Sequence, residues 1–171
     1  MRIYLIGFMG SGKSSIGSEL AHKLEHIFID LDDVIEKTSG RKIGDIFKID
    51  GENGFREIEH ECLKKTFLND TIVVATGGGT PCYNNNMELI NRHGISIYIK
   101  LNQGILASRL FSDKGTRPLI KNYTNIKELQ KFIEDSLEKR EKFYLQSKLI
   151  IEGKNISAKK IIEMLAGHTV Y

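Results

Sequence analysis

Lys13 and Ser14 close the run Gly7-Phe8-Met9-Gly10-Ser11-Gly12-Lys13-Ser14, which fills every fixed position of the phosphate-loop pattern G-x-x-x-x-G-K-[ST]. In that pattern the backbone N–H groups of a glycine-rich turn, together with the positive end of the following helix, cradle anionic oxygens. Lys13 would reach the β- and γ-phosphates of a nucleoside triphosphate, and the Ser14 hydroxyl would sit on Mg²⁺. Gly10, Ser11, Gly12 and Ser15 are the other nucleotide-binding candidates of this stretch. Asp30 and Asp32 end an apolar run, and if the extended conformation continues their side chains share a face. One acid would then hold the metal's water shell while the other orients or deprotonates an acceptor hydroxyl. The plainer alternative is a pair of acids that cap the next helix. Gly77, Gly78 and Gly79 lack a Cβ over three residues, which costs backbone entropy and lets a bound molecule approach the main chain, unless they form only a tight turn. Phosphoryl transfer needs charge neutralisation and positioning more than covalent chemistry. Arg56, Arg117 and Arg140 are candidates for that work, each otherwise a solvated surface residue. Arg117 stands apart because Gly115 and Pro118 bracket it in a polar segment, residues 111–122, with the composition of a lid.

These residues need elements to hold them. Arg2 to Ile6, His26 to Asp30, Thr71 to Ala75, Ile95 to Leu101 and Lys148 to Glu152 are short β-branched or apolar runs, read as strands. Between them the spacing is helical: Ile16, Leu20 and Leu24; Val34 and Ile35 up to a stop at Gly40; Ile43, Ile46 and Phe47; and a longer helix from Glu52 or Asn53 to Phe67. Further helices are expected over 85–92, 103–110 and 125–144, with Asn125 as N-cap and Glu128 as its capping-box partner, and after Ser157. Alternating strands and helices, with strands apolar on both faces, predict a parallel sheet covered on both sides, an α/β fold. No composition break marks a second domain, so 1–171 reads as one, with a helical subdomain over 33–66. The phosphate loop, Asp30 to Asp32 and Gly77 to Gly79 all follow strands. In an open parallel sheet, ligands bind beyond the strands' carboxyl ends, so the three should meet in one cleft.

The composition sets outer bounds. A net charge of +3, from 25 Lys and Arg against 22 Asp and Glu, suits small anionic substrates and gives no case for nucleic acid. Cys62 and Cys82 make no disulfide framework, and the five histidines show no metal spacing. No apolar run approaches a membrane span, and the start of the chain does not read as a signal peptide, so a cytoplasmic location is expected.

Taken together, GFMGSGKSSIG at 7–17, FIDLDDVIE at 28–36, GRKIGDIFKIDGENGFREIE at 40–59, GGGTP at 77–81, TRPL at 116–119 and KREKFY at 139–144 resemble the shikimate kinases over essentially the whole chain. The resemblance implies a three-layer α/β/α phosphate-loop NTPase fold with strand order 2-3-1-4-5. It implies ATP-dependent phosphorylation of the shikimate 3-hydroxyl, with Mg²⁺, in the pathway to chorismate and the aromatic amino acids, by a monomer. By position it makes Asp32 the shikimate-hydroxyl ligand and candidate base, and Asp30 the residue near Mg²⁺. Arg56 and Arg140 would hold the shikimate carboxylate with support from Glu59, Gly77 to Gly79 would contact shikimate, and Phe47 and Phe55 would line its pocket. Arg117 would be the lid arginine and Arg109 the one on adenine. A planar carboxylate is well matched by arginine forks, so the chemistry agrees with the resemblance. A gluconate or nucleoside monophosphate kinase would share residues 7–14 but would not require Phe55-Arg56 together with the triple glycine. A nucleotide-binding switch without turnover would not require Asp32 beside an intact acceptor site.

Overall fold

The structure, a computed structural model, describes residues 1–113, 120 and 123–168. Five strands, β1 (Arg2–Ile6), β2 (Ile27–Asp30), β3 (Ile72–Ala75), β4 (Ile95–Lys100) and β5 (Leu149–Glu152), form one parallel sheet in the order β2-β3-β1-β4-β5. The side chains of β1 alternate between two apolar layers. Tyr4 and Ile6 face one core with Val74 and Ile72, while Ile3 and Leu5 face the other with Val73, Ile97 and Ile151. Both layers are dry, which is why these strands are apolar at successive positions.

The second layer is closed by α1 (Lys13–Leu24) and α7 (Ala158–His168) through Leu20, Ala21, Ile161 and Leu165. The first carries α2 (Leu31–Ser39), α3 (Ile43–Thr66), α4 (Asn86–His93), α5 (Gln103–Ser112) and α6 (Ile126–Tyr144). The expected separation of two helices within residues 43–67 is present as a break in α3 at Gly51, whose φ of 71° and ψ of −174° leave the helical region. Positive φ is a conformation that glycine reaches without a Cβ penalty.

Two expectations need correcting. The extended run does not continue past Asp30: α2 starts at Leu31, so Asp32 is a first-turn helical residue and not the strand neighbour of Asp30. Asp30 instead caps that helix, its Oδ1 accepting the Asp32 N–H at 3.1 Å. Asn125 does cap α6 through the Lys127 N–H at 2.8 Å, but among the described residues Glu128 makes no return bond. The lid expected over 111–122 falls largely outside the described residues: Phe111 lies in the last turn of α5 against the core and Ile120 is fully buried, while Arg117 and its neighbours 114–119, 121 and 122 are not among those described.

Candidate active site

The register sets Asp30, Ala75 and Leu5 level across three neighbouring strands, so the chain leaves β2, β3 and β1 at one edge. Gly7, Leu31 and Thr76 follow there, and the predicted convergence is realised. A cleft of about 510 Å³ is bounded by Gly10, Gly12, Lys13, Ser14, Ser15, Asp30, Asp32, Gly77, Gly78 and Arg109.

The phosphate loop is shaped by glycine at the points a side chain could not occupy. Gly12 takes φ 95° and stands as the N-cap of α1, and no side chain caps that helix. Its N-terminal end, with no side-chain cap in the way, can meet an anion. Gly10 takes φ 78°, and a Cβ there would lie 2.9 Å from Leu110. Lys13 is folded back into the loop, its Nζ donating to Gly7 O at 2.8 Å and Phe8 O at 2.9 Å. Ser11 is buried, and its hydroxyl finds no hydrogen-bond partner among the described residues. Arg109, from α5, reaches over the same loop with NH1 3.4 Å from Gly10 O.

Ser14 Oγ donates to Asp30 Oδ2 at 2.6 Å, so one carboxylate serves both as helix cap and as partner of the loop's last hydroxyl. Asp32, in the first turn of α2, is exposed toward the cleft while protein packs around its carboxyl from behind. Desolvation by that protein, with the charges of Asp30, Glu59 and Asp33 adding to it and Lys13 opposing, pushes its carboxyl up to about 6. A shift of this kind marks a group poised to exchange a proton near neutrality.

The other end of the cleft is a network of side chains. Glu59, buried on α3, accepts from Arg56 NH1 at 2.7 Å and from Thr80 Oγ1 at 2.5 Å. Thr80 opens the 3₁₀ turn Thr80–Cys82, and its carbonyl accepts from Asn86, which in turn meets His60 Nδ1 at 2.6 Å. The Arg56 guanidinium lies over the rings of Phe55 and Tyr83, 5.0 and 4.1 Å from their centroids, and its buried Nε has no partner among the described residues. Phe47 stacks on Phe55 at 4.4 Å between centroids.

Two of the three glycines are explained by crowding. A Cβ on Gly79 would come 2.5 Å from Arg56, and one on Gly77 would lie 3.0 Å from Glu59 and 3.2 Å from Asp32. At Gly78 the nearest atoms would be Met9 N at 3.4 Å and Arg140 NH1 at 3.7 Å. Gly77 and Gly79 lack side chains because Glu59, Asp32 and Arg56 take that space, whereas at Gly78 a Cβ would meet only ordinary contacts, one of them with Arg140, so both arginines come to one short stretch of backbone. Arg140 also walls an adjoining cavity of about 670 Å³ along α6.

Sequence reasoning missed Thr80 and Tyr83, and gave Tyr144 no role. Tyr144 is fully buried, its hydroxyl donates to Gly78 O at 2.5 Å, and Arg140 sits beside the same oxygen. The i, i+4 spacing of Arg140 and Tyr144 was a readable sign that the two share a helix face. Nothing in the spacing of Thr80 or Tyr83 announced theirs. Cys82, half-buried, has its thiol pushed up to about 11 by burial and is inert at neutral pH.

A five-stranded parallel sheet in this order, a phosphate loop after β1 and a capping acid after β2 that meets the loop's serine define a phosphate-loop kinase. A family model for shikimate kinase matches residues 9–167. The shikimate kinase of Azobacteroides pseudotrichonymphae genomovar. CFP2 is 43% identical over 165 residues, covering 96% of each chain. Among solved structures, shikimate kinase from Bacteroides thetaiotaomicron superposes with a TM-score of 0.89 at 35% identity, covering 98% of this chain and 97% of its own. Shikimate kinase from Acinetobacter baumannii, solved in complex with shikimate, gives 0.88 at 31%, covering 99% and 95%. This chain belongs to the shikimate kinase family.

Proposed function

We propose that this chain transfers the γ-phosphoryl group of ATP to the 3-hydroxyl of shikimate, giving shikimate 3-phosphate and ADP. The observation that carries the reading is the placing of Arg56 and Arg140 beside the Gly77–Gly79 backbone, whose Gly77 and Gly78 also line the cleft that holds Asp32 and the phosphate loop. Two guanidinium groups suit a carboxylate, and an acid whose proton is held near pH 6 suits an acceptor hydroxyl.

In this reading Asp32 takes the hydroxyl proton as the oxygen attacks the γ-phosphorus, and the bond from that phosphorus to the ADP oxygen breaks. Lys13 turns from Gly7 O and Phe8 O to the transferring group, and the backbone N–H groups at the start of α1 hold the phosphates. Ser14 and Asp30 suit Mg²⁺: two hard oxygens sit 2.6 Å apart beneath the loop, and Mg²⁺ takes one or two protein oxygens with phosphates and water. Among the described residues no cluster of three or more His, Cys, Asp or Glu could hold a metal, which fits an ion held largely by its nucleotide. When bound, Mg²⁺ neutralises charge on the β- and γ-phosphate oxygens. Arg109 is proposed to pack on adenine, and Arg117 to reach the phosphates from a lid drawn from residues 111–122, narrowed by the anchoring of Phe111 and Ile120. The helical stretch 33–66 is proposed to act as the acceptor subdomain of a single-domain monomer. Among the described residues no helix is long and apolar enough to cross a membrane. A cytoplasmic enzyme without nucleic-acid partners is the proposed setting.

Coupled ADP release with shikimate, gluconate and nucleoside monophosphates as separate acceptors tests this reading. Turnover with shikimate alone is the expected result. Turnover with gluconate or a monophosphate, or with none, would reject it.

A further inference from the structure

Arg56 serves two carboxylates at once. One terminal nitrogen is bound by Glu59, which is buried and also holds Thr80. The other donates to Glu52 Oε1 at 3.2 Å. Glu52 is a different kind of partner, with a side chain 54% exposed against 1% for Glu59. The same Glu52 oxygen accepts the Tyr83 hydroxyl at 2.9 Å, and the ring of Tyr83 covers one face of the guanidinium. The Tyr83 hydrogen bond, with Arg56 and Arg140 adding to it, holds the Glu52 carboxyl below the ordinary carboxylate range. Glu52 thus lies as an anion in the field of both arginines to which the proposed function assigns the acceptor's carboxylate.

We propose that Glu52 occupies the Arg56 fork in the free protein as a stand-in for the acceptor's carboxylate, and that the acceptor binds by displacing it. This rests on the assignment of Arg56 and Arg140 to that carboxylate. Two anions at one guanidinium edge repel, so Glu52 and an incoming carboxylate exclude each other. Glu59 cannot be the one to leave, because it is buried and would abandon two hydrogen bonds. Glu52 returns to water at little cost. It also follows Gly51, where the helix is already interrupted, and its half-exposed carboxylate has solvent to swing into. The arrangement favours acids over neutral polyols. Every acceptor must open the fork, and only one carrying a carboxylate replaces the ion pair that opening breaks.

The test uses the full chain and the variants Glu52→Ala and Tyr83→Phe, with ATP and shikimate in the ADP-release assay. Emptying the fork raises the fraction of binding-competent protein, so Glu52→Ala should lower the shikimate KM about two- to tenfold while the ATP KM stays in place. Tyr83→Phe keeps the ring over Arg56 but frees Glu52 of one holder, and should move the shikimate KM the same way by less. Calorimetric titration of shikimate should give the same order of Kd. A shikimate KM unchanged or raised in Glu52→Ala overturns the proposal and makes Glu52 a support of Arg56 or an ordinary surface pair. Parallel shifts of both substrates' KM overturn it as well, since a merely structural role would produce them. Absence of shikimate turnover in the unmodified chain would overturn both this inference and the proposed function, whereas normal turnover with an unmoved KM in Glu52→Ala would remove this inference alone.

Discussion

At the nucleotide end of the cleft the ligand-facing groups are mainly backbone N–H groups and Lys13 from residues 7–15, joined by Arg109 of α5. At the acceptor end they are side chains from α2, α3, the 3₁₀ turn and α6, tied into the chain Arg56–Glu59–Thr80–Asn86–His60. The first end stays intact without its ligand because Lys13 binds its own loop's carbonyls and the helix N-terminus needs only water. The second holds charge in a protein interior, where each ionised group must keep a partner whether or not substrate is present. Loss of a side chain at the nucleotide end should therefore remove catalysis and spare most of the fold. At the acceptor end the same kind of loss should cost stability and binding together.

The largest effect is expected from Lys13→Ala. Its ammonium meets charge that grows in the transition state, so kcat should fall about a hundredfold or more. The structure adds a smaller term, since Gly7 O and Phe8 O lose their donor, at about 1 kcal/mol of stability. Retention of a tenth of kcat, in protein whose circular dichroism matches the unmodified chain, would contradict the assignment.

Glu59→Ala should show the reverse balance. Arg56 keeps only the exposed Glu52, and Thr80 loses its acceptor, so urea unfolding should report a loss of about 3 kcal/mol. The shikimate KM should rise more than the ATP KM. A variant as stable as the unmodified protein would show that the acceptor end is not held by its buried acid, and the contrast between the two ends would fail.

Asp32 sharpens the contrast through pH. Its carboxyl is raised from 3.8 to about 6 in the folded protein, so folding takes up a proton between those values. Stability contributed by the protonated form is complete below the unfolded pKa and is lost as pH rises through about 6. At pH 8 the folded state carries a disfavoured charge that Asn would not carry. Asp32→Asn should therefore melt above the unmodified protein at pH 8, with the difference fading towards pH 4, and should lose most turnover. For the unmodified enzyme, kcat/KM should decline on the acid side with an apparent pKa near 6. An acid limb below pH 4.5 would place the essential base elsewhere.

The two ends also differed in how far the sequence revealed them. Residues 7–15 are contiguous and each has a fixed task, so the loop, its lysine and its serine were legible from spacing alone. The sheet was legible because its strands are apolar on both faces, and its order followed from the family resemblance. Asp30 and Asp32 both line the cleft, but the sequence left open whether they share a strand face or cap the next helix, because whether a chain continues as strand or turns into helix after Asp30 depends on a cap hydrogen bond. At the acceptor end Arg56 and the triple glycine stood out as types. Their real relation, glycine giving room to a guanidinium from another element, is a tertiary contact that no spacing encodes. Tyr83 and Thr80 escaped for the same reason.

Tyr144→Phe is the finest of these probes, because it removes one oxygen from a ring that stays packed. Tyr144 lies at the boundary between α6 and the glycine loop, 5.2 Å from Tyr98 between ring centroids, and phenylalanine preserves that contact. What is lost is the hydrogen bond to Gly78 O, together with the oxygen beside Arg140. A buried carbonyl left without its donor costs about 1–3 kcal/mol, reduced here to the extent that cleft water reaches Gly78. The functional consequence should be separable from that cost. Gly78 would be free to shift relative to Arg140, so the shikimate KM should rise about two- to fivefold, while the ATP KM, governed by a loop whose own bonds are untouched, stays constant. Kinetics for both substrates, measured well below the melting temperature of the variant, distinguish the two effects. Equal movement of the two constants would mean that Tyr144 supports the sheet edge as a whole and has no particular part in holding the acceptor.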